Sequence, residues 1–218
     1  MKICHIVGAA QETAVCQPAK EDLVIAADGG FTALKKAGIK PDLLVGDLDS
    51  LGYSPEDVET IRHPVMKDDT DMMLAVRIGL SKGYRFFCLY GGLGGRMDHT
   101  IANIQTLAFI ARHNGSGCLV GSKERLTVLM DGELRFSRQS RGILSVFALG
   151  GEAEGVTLRG VLYPLNNVAL SPDFPLGVSN EFIGEEAQIR VKKGMLLIVW
   201  TQEAHLLAES AVDDFASK

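Results

Sequence analysis

The chain has 218 residues, 46% of them apolar, and a formal net charge of −5. That length admits one large domain or two small ones with a packed core. The acidic balance, with no basic stripe, argues against nucleic acid as a partner. No apolar stretch reaches the length of a membrane span, and Met1-Lys2-Ile3-Cys4-His5-Ile6-Val7 enters an apolar run without a signal-peptide pattern. Cys4, Cys16, Cys88 and Cys118 form no C-x-x-C pair, and three of them (Cys4, Cys88 and Cys118) fall in expected core strands. A cytoplasmic, reduced protein without a membrane anchor is expected.

The first half alternates as βα units do. Lys2 to Val7 and Leu23 to Ala27 are nearly unbroken apolar runs, as strands buried on both faces require. A short helix is predicted from Phe31 to Ala37, ended by Gly38 and Pro41, and Leu43 to Val45 forms the next strand. Asp69 or Thr70 caps a helix reaching Lys82, with Met72, Met73, Val76 and Leu80 inward. Arg85 to Tyr90 is a strand leading into a run of glycines. Asp98 then opens a helix with Ile101, Ile104, Leu107 and Ala111 on one stripe, closing near Asn114-Gly115. Gly117 to Val120 and Leu126 to Met130 complete the sheet.

Helical periodicity stops around Asp131-Gly132. Short strand-like runs follow at Ile143 to Leu149, Val161 to Leu165, Val168 to Leu170, Ala187 to Val191 and Met195 to Thr201. The expected fold class is therefore α/β, with an N-terminal mostly parallel, Rossmann-like sheet flanked by helices and a C-terminal all-β sandwich domain. The expected domains are 1–132 and 133–202, with a C-terminal tail at 203–218.

Four motifs follow apolar runs, where an open α/β sheet gathers its ligand. They are Asp28-Gly29-Gly30, Gly46-Asp47-Leu48-Asp49-Ser50, Lys67-Asp68-Asp69-Thr70-Asp71, and Gly91-Gly92-Leu93-Gly94-Gly95-Arg96-Met97-Asp98-His99. Taken alone, Asp28-Gly29 is an ordinary turn, and Asp69 and Asp71 suit any helix N-terminus. Asp98 also reads as a helix cap, and His99 as a helix-start residue rather than a base. The glycine loop is not a P-loop, because no Gly-Lys-Ser/Thr follows. It still lets backbone approach a ligand, and Arg96 offers a fork of donors to phosphate. Hard carboxylate oxygens beside a phosphate loop suit Mg2+ bound together with substrate phosphates. The ordered set describes a site for a metal-chelated polyphosphate.

Jointly these motifs resemble the thiamine pyrophosphokinase family, which moves a pyrophosphoryl group from ATP to the hydroxyl of thiamine. The pattern resembles Asp28-Gly29-Gly30, the Gly46 to Ser50 motif, the Lys67 to Asp71 motif, and Gly94-Gly95-Arg96-Met97-Asp98-His99 followed by Ala102-Asn103. In the second half, Gly160-Val161-Leu162-Tyr163-Pro164-Leu165 and Gly177-Val178-Ser179-Asn180-Glu181-Phe182 are similar to the segments lining the family's thiamine site. Leu162 departs from a common lysine, and Tyr163 keeps an aromatic face where animal members have tryptophan. The resemblance implies a homodimer in which each thiamine lies between one subunit's acidic rim and the other's β domain.

It also implies roles. Asp47, Asp49 and Asp71 would hold magnesium, and Asp71 or Asp98 would accept the hydroxyl proton if a base is used. Asp28, Gly92, Gly94, Gly95 and Arg96 would contact ATP. Thr70, Asp98, Tyr163, Ser179 and Asn180 would contact thiamine. Two rival readings come from other classes. A haloacid-dehalogenase-type phosphatase also uses a D-x-D at a strand end, but its motif carries a threonine two residues past the second aspartate, whereas Ser50-Leu51-Gly52 follow Asp49 here. A non-catalytic nucleotide or vitamin sensor would not need several metal-competent carboxylates beside an arginine-bearing loop.

Overall fold

The computed structural model describes residues 1–10, 18–46, 55, 57–62, 69–201 and 203–207. The chain divides into two compact units, Met1–Ser122 and a second beginning at Lys123. The architecture is mixed α/β.

In the first unit, strands β1 (Ile3–Val7), β2 (Leu23–Ala27), β3 (Leu43–Gly46), β4 (Glu59–Arg62), β5 (Phe86–Tyr90) and β6 (Ser116–Val120) pair in parallel, in the order β6-β5-β1-β2-β3-β4. β1 and β2 are buried along their whole length, which is why they read as unbroken apolar runs. β4 escapes that reading because Glu59-Thr60-Ile61-Arg62 is a short edge strand with polar ends. Helices α1 (Gly30–Lys36), α2 (Asp71–Ser81) and α3 (Met97–Arg112) connect the strands.

The buried faces of the two longer helices differ from the expected stripes. In α2, Met72, Ala75, Val76 and Gly79 are buried, while Met73 and Leu80 are half-buried. In α3 the inward residues are Asn103, Thr106, Leu107, Ile110 and Ala111, and Ile101 is exposed. Two polar residues can occupy that stripe because each is bonded. The Thr106 hydroxyl donates to the Ala102 carbonyl (2.9 Å), and the Asn103 amide donates to the Gly92 carbonyl (2.9 Å).

The second unit begins upstream of the composition change at Asp131-Gly132, because β7 (Glu124–Met130) pairs antiparallel along its whole length with β14 (Met195–Thr201). The remaining strands are β8 (Glu133–Phe136), β9 (Ile143–Ala148), β10 (Ala153–Arg159), β11 (Leu165–Leu170), β12 (Asn180–Glu181) and β13 (Ala187–Arg190). Two antiparallel sets form, β12-β9-β14-β7 and β11-β10-β13-β8. Phe136 from one set meets Trp200 from the other edge-on at 5.5 Å, and both rings are buried. The strand expected over Val161 to Leu165 reduces to one bridge from Val161 to Phe182 and one bond from the Leu162 N–H to the Glu181 carbonyl. Pro164 has no N–H to continue such a ladder. Instead β10 carries the pairing; its Gly155 broke the apolar pattern that would have announced it. The C-terminal tail from 203 lies mostly outside the described residues, and Leu206 forms a β-bridge with Phe136.

Asp22 ties the first unit's entry strands together. Its carboxylate accepts from the N–H groups of Ile3 (2.9 Å) and Ala19 (2.8 Å) and lies 3.3 Å from His5 Nε2. Burial alone would push this carboxyl up, but the two N–H groups and His5 outweigh it and hold the group below the usual range. Because it titrates lower in the folded chain than in the unfolded one, its stabilisation is complete above about pH 4 and fades as pH falls through the folded value. Asp22→Asn leaves an N–H facing an amide in place of a carboxylate, a loss of about 1–3 kcal/mol. Thermal melting at neutral pH should therefore fall by several degrees, with the gap to wild type closing near pH 3. A gap that does not change with pH would refute the charged role.

Candidate functional site

Because β1, β2 and β5 run parallel, their carboxyl ends share one edge, and β1 is where the chain order reverses between β2 on one side and β5 on the other. Such a reversal opens a crevice for a ligand. A cleft of about 290 Å³ lies there, lined by the loop Gly8-Ala9-Ala10 after β1, by Ala27 and Asp28 of the β2 turn, and by Gly91 and Gly92 after β5. Thr70, Asp71 and Met72 at the start of α2 close one wall, and Gly95, Arg96, His99 and Asn103 close another.

Each side is fixed by backbone. The Gly8 N–H donates to the Tyr90 carbonyl (2.8 Å) and the Ala10 N–H to the Gly91 carbonyl (3.2 Å). Asp28 takes a left-handed conformation, φ 47°, while its N–H donates to the Val45 carbonyl (2.8 Å). Gly30 has a steric reason of its own: a Cβ there would lie 1.8 Å from the Val7 carbonyl oxygen, so α1 can start against β1 only with glycine. The Asp-Gly-Gly motif thus combines a packing requirement with a cleft-lining carboxylate.

Two helices begin at the cleft, α2 at Asp71 and α3 at Met97. Their N-terminal N–H groups and dipoles favour an anion such as a phosphate. Thr70 is the N-cap of α2, its hydroxyl accepting from the Met73 N–H (3.2 Å). Asp69 pairs with Arg77 (3.0 Å), whose guanidinium lies 5.1 Å from the centre of the Phe109 ring of α3. Of the two described acids in that motif, Asp71 is the one on the cleft wall; Asp68 lies outside the described residues.

At the rim, Arg96 and Asp98 are exposed and doubly bonded, Nε to Oδ1 at 3.1 Å and the other fork to Oδ2 at 2.5 Å. Those two bonds hold the Asp98 carboxyl below the usual carboxylate range. Asp98 is not the helix cap that the sequence left open. The N-cap is Arg96, and Asp98 sits in the first turn, accepting from the His99 N–H (2.9 Å).

The structure therefore gathers Asp28, Thr70, Asp71, Gly92, Gly95 and Arg96 around one cleft, with Asp98 bonded to Arg96 and Gly94 outside the lining. Asp47 and Asp49 lie outside the described residues. Tyr163, Ser179 and Asn180 belong to the second unit. There Asn180 is buried, accepting from the Tyr163 N–H (2.9 Å) and donating to the Tyr163 carbonyl (2.8 Å), which leaves the Tyr163 ring exposed. The Ser179 N–H donates to the Ser145 hydroxyl (3.0 Å). Sequence reasoning gave no role to Gly8, Ala9 and Ala10, whose one signal is a glycine directly after a buried strand. It also gave no role to Asn103, whose amide holds Gly92 in place.

Comparison with known proteins agrees with this layout. Residues 18–118 match the family described as thiamin pyrophosphokinase, catalytic domain, and residues 133–196 match thiamin pyrophosphokinase, vitamin B1 binding domain. The chain is 29% identical over 184 residues to the thiamine pyrophosphokinase of Bacillus subtilis, covering 81% of this chain and 86% of that one. It is 26% identical to thiamine pyrophosphokinase 1 of Oryza sativa, covering 74% and 66% of the two chains. Among solved structures, thiamine pyrophosphokinase of Bacillus subtilis superposes with TM-score 0.82 at 25% identity, over 92% of this chain and 99% of that one. A thiamin pyrophosphokinase family protein of Enterococcus faecalis gives 0.78 at 27% identity, over 92% and 99%.

The Thr70 cap has a measurable consequence. Thr70→Ala removes the acceptor for the Met73 N–H and should cost about 1 kcal/mol, lowering the melting temperature by a few degrees. Thr70→Ser should retain most of that stability. Equal melting of all three proteins would show that the cap contributes nothing.

Proposed function

The chain belongs to the thiamine pyrophosphokinase family, and from that we propose that it moves the pyrophosphoryl group of ATP to the hydroxyl of thiamine, releasing thiamine diphosphate and AMP. The observation that carries this reading is the ordered pair of family domains, catalytic then vitamin B1 binding, together with a cleft in the first unit whose lining suits phosphate. A phosphatase or a non-catalytic sensor accounts for neither domain.

Within this reading residues 1–132 form a Rossmann-like catalytic domain and 133–202 a thiamine-binding sandwich. The N–H groups around Gly92, Gly94 and Gly95, the two helix starts and Arg96 hold the triphosphate, alongside Asp28. For that, Arg96 exchanges Asp98 for phosphate oxygens, a trade between two charge-assisted partners of similar kind. Asp98 is then released toward the substrate side, where it accepts a hydrogen bond or the hydroxyl proton. Thr70 and Ser179 contribute polar contacts, Asn180 presents Tyr163, and the exposed Tyr163 ring offers a face for a cationic heterocycle.

The residues at the cleft fit magnesium. Asp28 and Asp71 put carboxylates in the same cleft as the glycine loop. Two like charges about 4 Å apart near a protein surface repel by about 4 kcal/mol. A helix terminus offsets only about 0.3–1 kcal/mol of such a term, so a hard cation between carboxylate and phosphate resolves the conflict. Among the described residues no three ligating side chains cluster. Asp71 together with Asp47 and Asp49 is the set we assign. Magnesium, when bound, supplies charge neutralisation and a template for the phosphates.

A homodimer is supported by apolar side chains left exposed in the second unit, among them Leu162, Tyr163, Phe174, Leu176, Val178 and Ile183. No helix among the described residues is long and apolar enough to cross a membrane. The buried thiols Cys4, Cys88 and Cys118, none in a disulfide, fit a cytoplasmic setting.

Incubated with ATP, magnesium and thiamine, the protein should yield thiamine diphosphate and AMP in equal amounts by mass spectrometry. Thiamine monophosphate with ADP would reassign the phosphorus attacked, and no turnover by folded protein would overturn the activity. Separately, Asp47→Asn, Asp49→Asn and Asp71→Asn should each lower kcat/KM on the order of a hundredfold or more, several kcal/mol of transition-state stabilisation. Their melting temperatures should move little. A large fall in melting with activity kept would make these acids structural.

A further inference from the structure

A second polar concavity, of about 270 Å³, lies wholly within the second unit on the exposed face of the β11-β10-β13-β8 sheet. Thr157, Arg159, Asn166, Asn167, Gln188, Arg190 and Lys192 line it, and no carboxylate does. It shares no residue with the cleft of the first unit. For a chain of net charge −5, a groove with three cations and four neutral hydrogen-bonding side chains is a local inversion of sign.

Register explains why the charges converge. Arg159 stands opposite Gln188 and Thr157 opposite Arg190, so Arg159 and Arg190 are diagonal neighbours on one face. Such Cβ atoms lie roughly 7–8 Å apart, within reach for long side chains, and like charges so placed repel. Glu133 stands opposite Arg190 on β8 and feels its charge, while the carboxylate hydrogen-bonds Gln188 and Arg135 (2.6 Å). Arg135 is in turn bonded to Glu186 (3.1 Å), so that arginine is neutralised outside the groove.

Lys192 is set over the groove by two local devices. The pairing of β10 with β11 shifts between Val156↔Val168 and Leu158↔Leu165, so β11 has one residue more than β10 across that step. Asn167 sits in this bulge with φ 54°, its N–H donating to the Thr157 hydroxyl (3.2 Å) and its side-chain oxygen accepting from the Lys192 ammonium (2.6 Å). Gly155 leaves room for the Lys192 stem: a Cβ there would lie 2.5 Å from Lys192 Cδ and 2.7 Å from its Cγ. The ammonium keeps two further N–H donors for a ligand.

We propose that this groove binds a diphosphate group, taken by the forks of Arg159 and Arg190 and by the Lys192 ammonium, with Thr157 and Asn166 as neutral donors. Arginine forks match phosphate oxygens in pairs. The concavity is larger than one phosphate needs, and its three cations match the multiple charge of a diphosphate. Free pyrophosphate and the diphosphate of a nucleotide share this chemistry.

The test is calorimetric titration of the full-length, magnesium-free protein in an Arg96→Gln background, which weakens anion binding at the cleft. Inorganic pyrophosphate should bind, and Arg159→Gln with Arg190→Gln should weaken it at least about tenfold, the loss of one charge-assisted bond or more. Asn167→Ala should weaken it less, by releasing Lys192, and Lys192→Gln serves if the double variant does not fold. ADP binding more tightly than pyrophosphate, with the excess lost in the Arg159→Gln, Arg190→Gln variant, would assign the groove to a nucleotide diphosphate, and equal affinity to the free diphosphate. Unchanged pyrophosphate affinity in the folded double variant, or sulfate competing equally at matched ionic strength, would overturn the proposal.

Discussion

The hydrogen bonds between β1 and β5 continue beyond the last residue of each strand, through Gly8 to Tyr90 and Ala10 to Gly91. The cleft depends on that continuation. It holds two loops side by side at the place where the chain order reverses, so both line the same space. The Asn103 amide, bonded to the Gly92 carbonyl from within α3, fixes the glycine loop from its other side. Phosphate recognition of this kind rests on backbone held in advance, which costs no reorganisation when the ligand arrives. Side chains such as Arg96 and Asp71 act on top of that frame.

What the sequence made legible follows from burial. β1, β2, β3 and β5 are enclosed strands, and an enclosed strand must be apolar at nearly every position, so periodicity alone finds it. The half-exposed strands of the second unit announce themselves only where alternation is clean. Ala187–Arg190 does so; Ala153–Arg159, with Gly155 in its midst, does not. The α3 stripe was right at Leu107 and Ala111 and missed Asn103 and Thr106, buried polar residues satisfied by bonds that no hydropathy pattern records.

The site was legible to the extent that its chemistry lies in side chains. Asp28, Asp71 and Arg96 carry charge in a motif and were found, and the structure puts them around one cleft. Gly8, Ala9 and Ala10 carry nothing a motif search weighs; their contribution is main chain in a particular place, and only the β1–β5 pairing creates that place. For Asp98 the sequence left a cap open beside a site role, for a related reason. An aspartate at a helix start suits both a cap and the first turn, and the choice is decided by Arg96, whose guanidinium claims the carboxylate.

In the two readings proposed above, the units hold an anion in different ways. The cleft of the first unit has carboxylates on its wall, so an anion there must be met by N–H groups, helix ends and a shared cation rather than by net positive charge. The groove of the second unit has cations and no acid, and its difficulty is the opposite one: keeping like charges together without a ligand. The bulge at Asn167 and the gap at Gly155 answer that difficulty for Lys192, and the Glu133–Arg135 pair draws off the nearest competing charges. Side-chain cations held this way are screened by salt more than a cradle of fixed backbone N–H dipoles is. Ionic strength should therefore act more strongly on the groove than on the cleft, because the physics of the two grips differs even where the ligand group is the same.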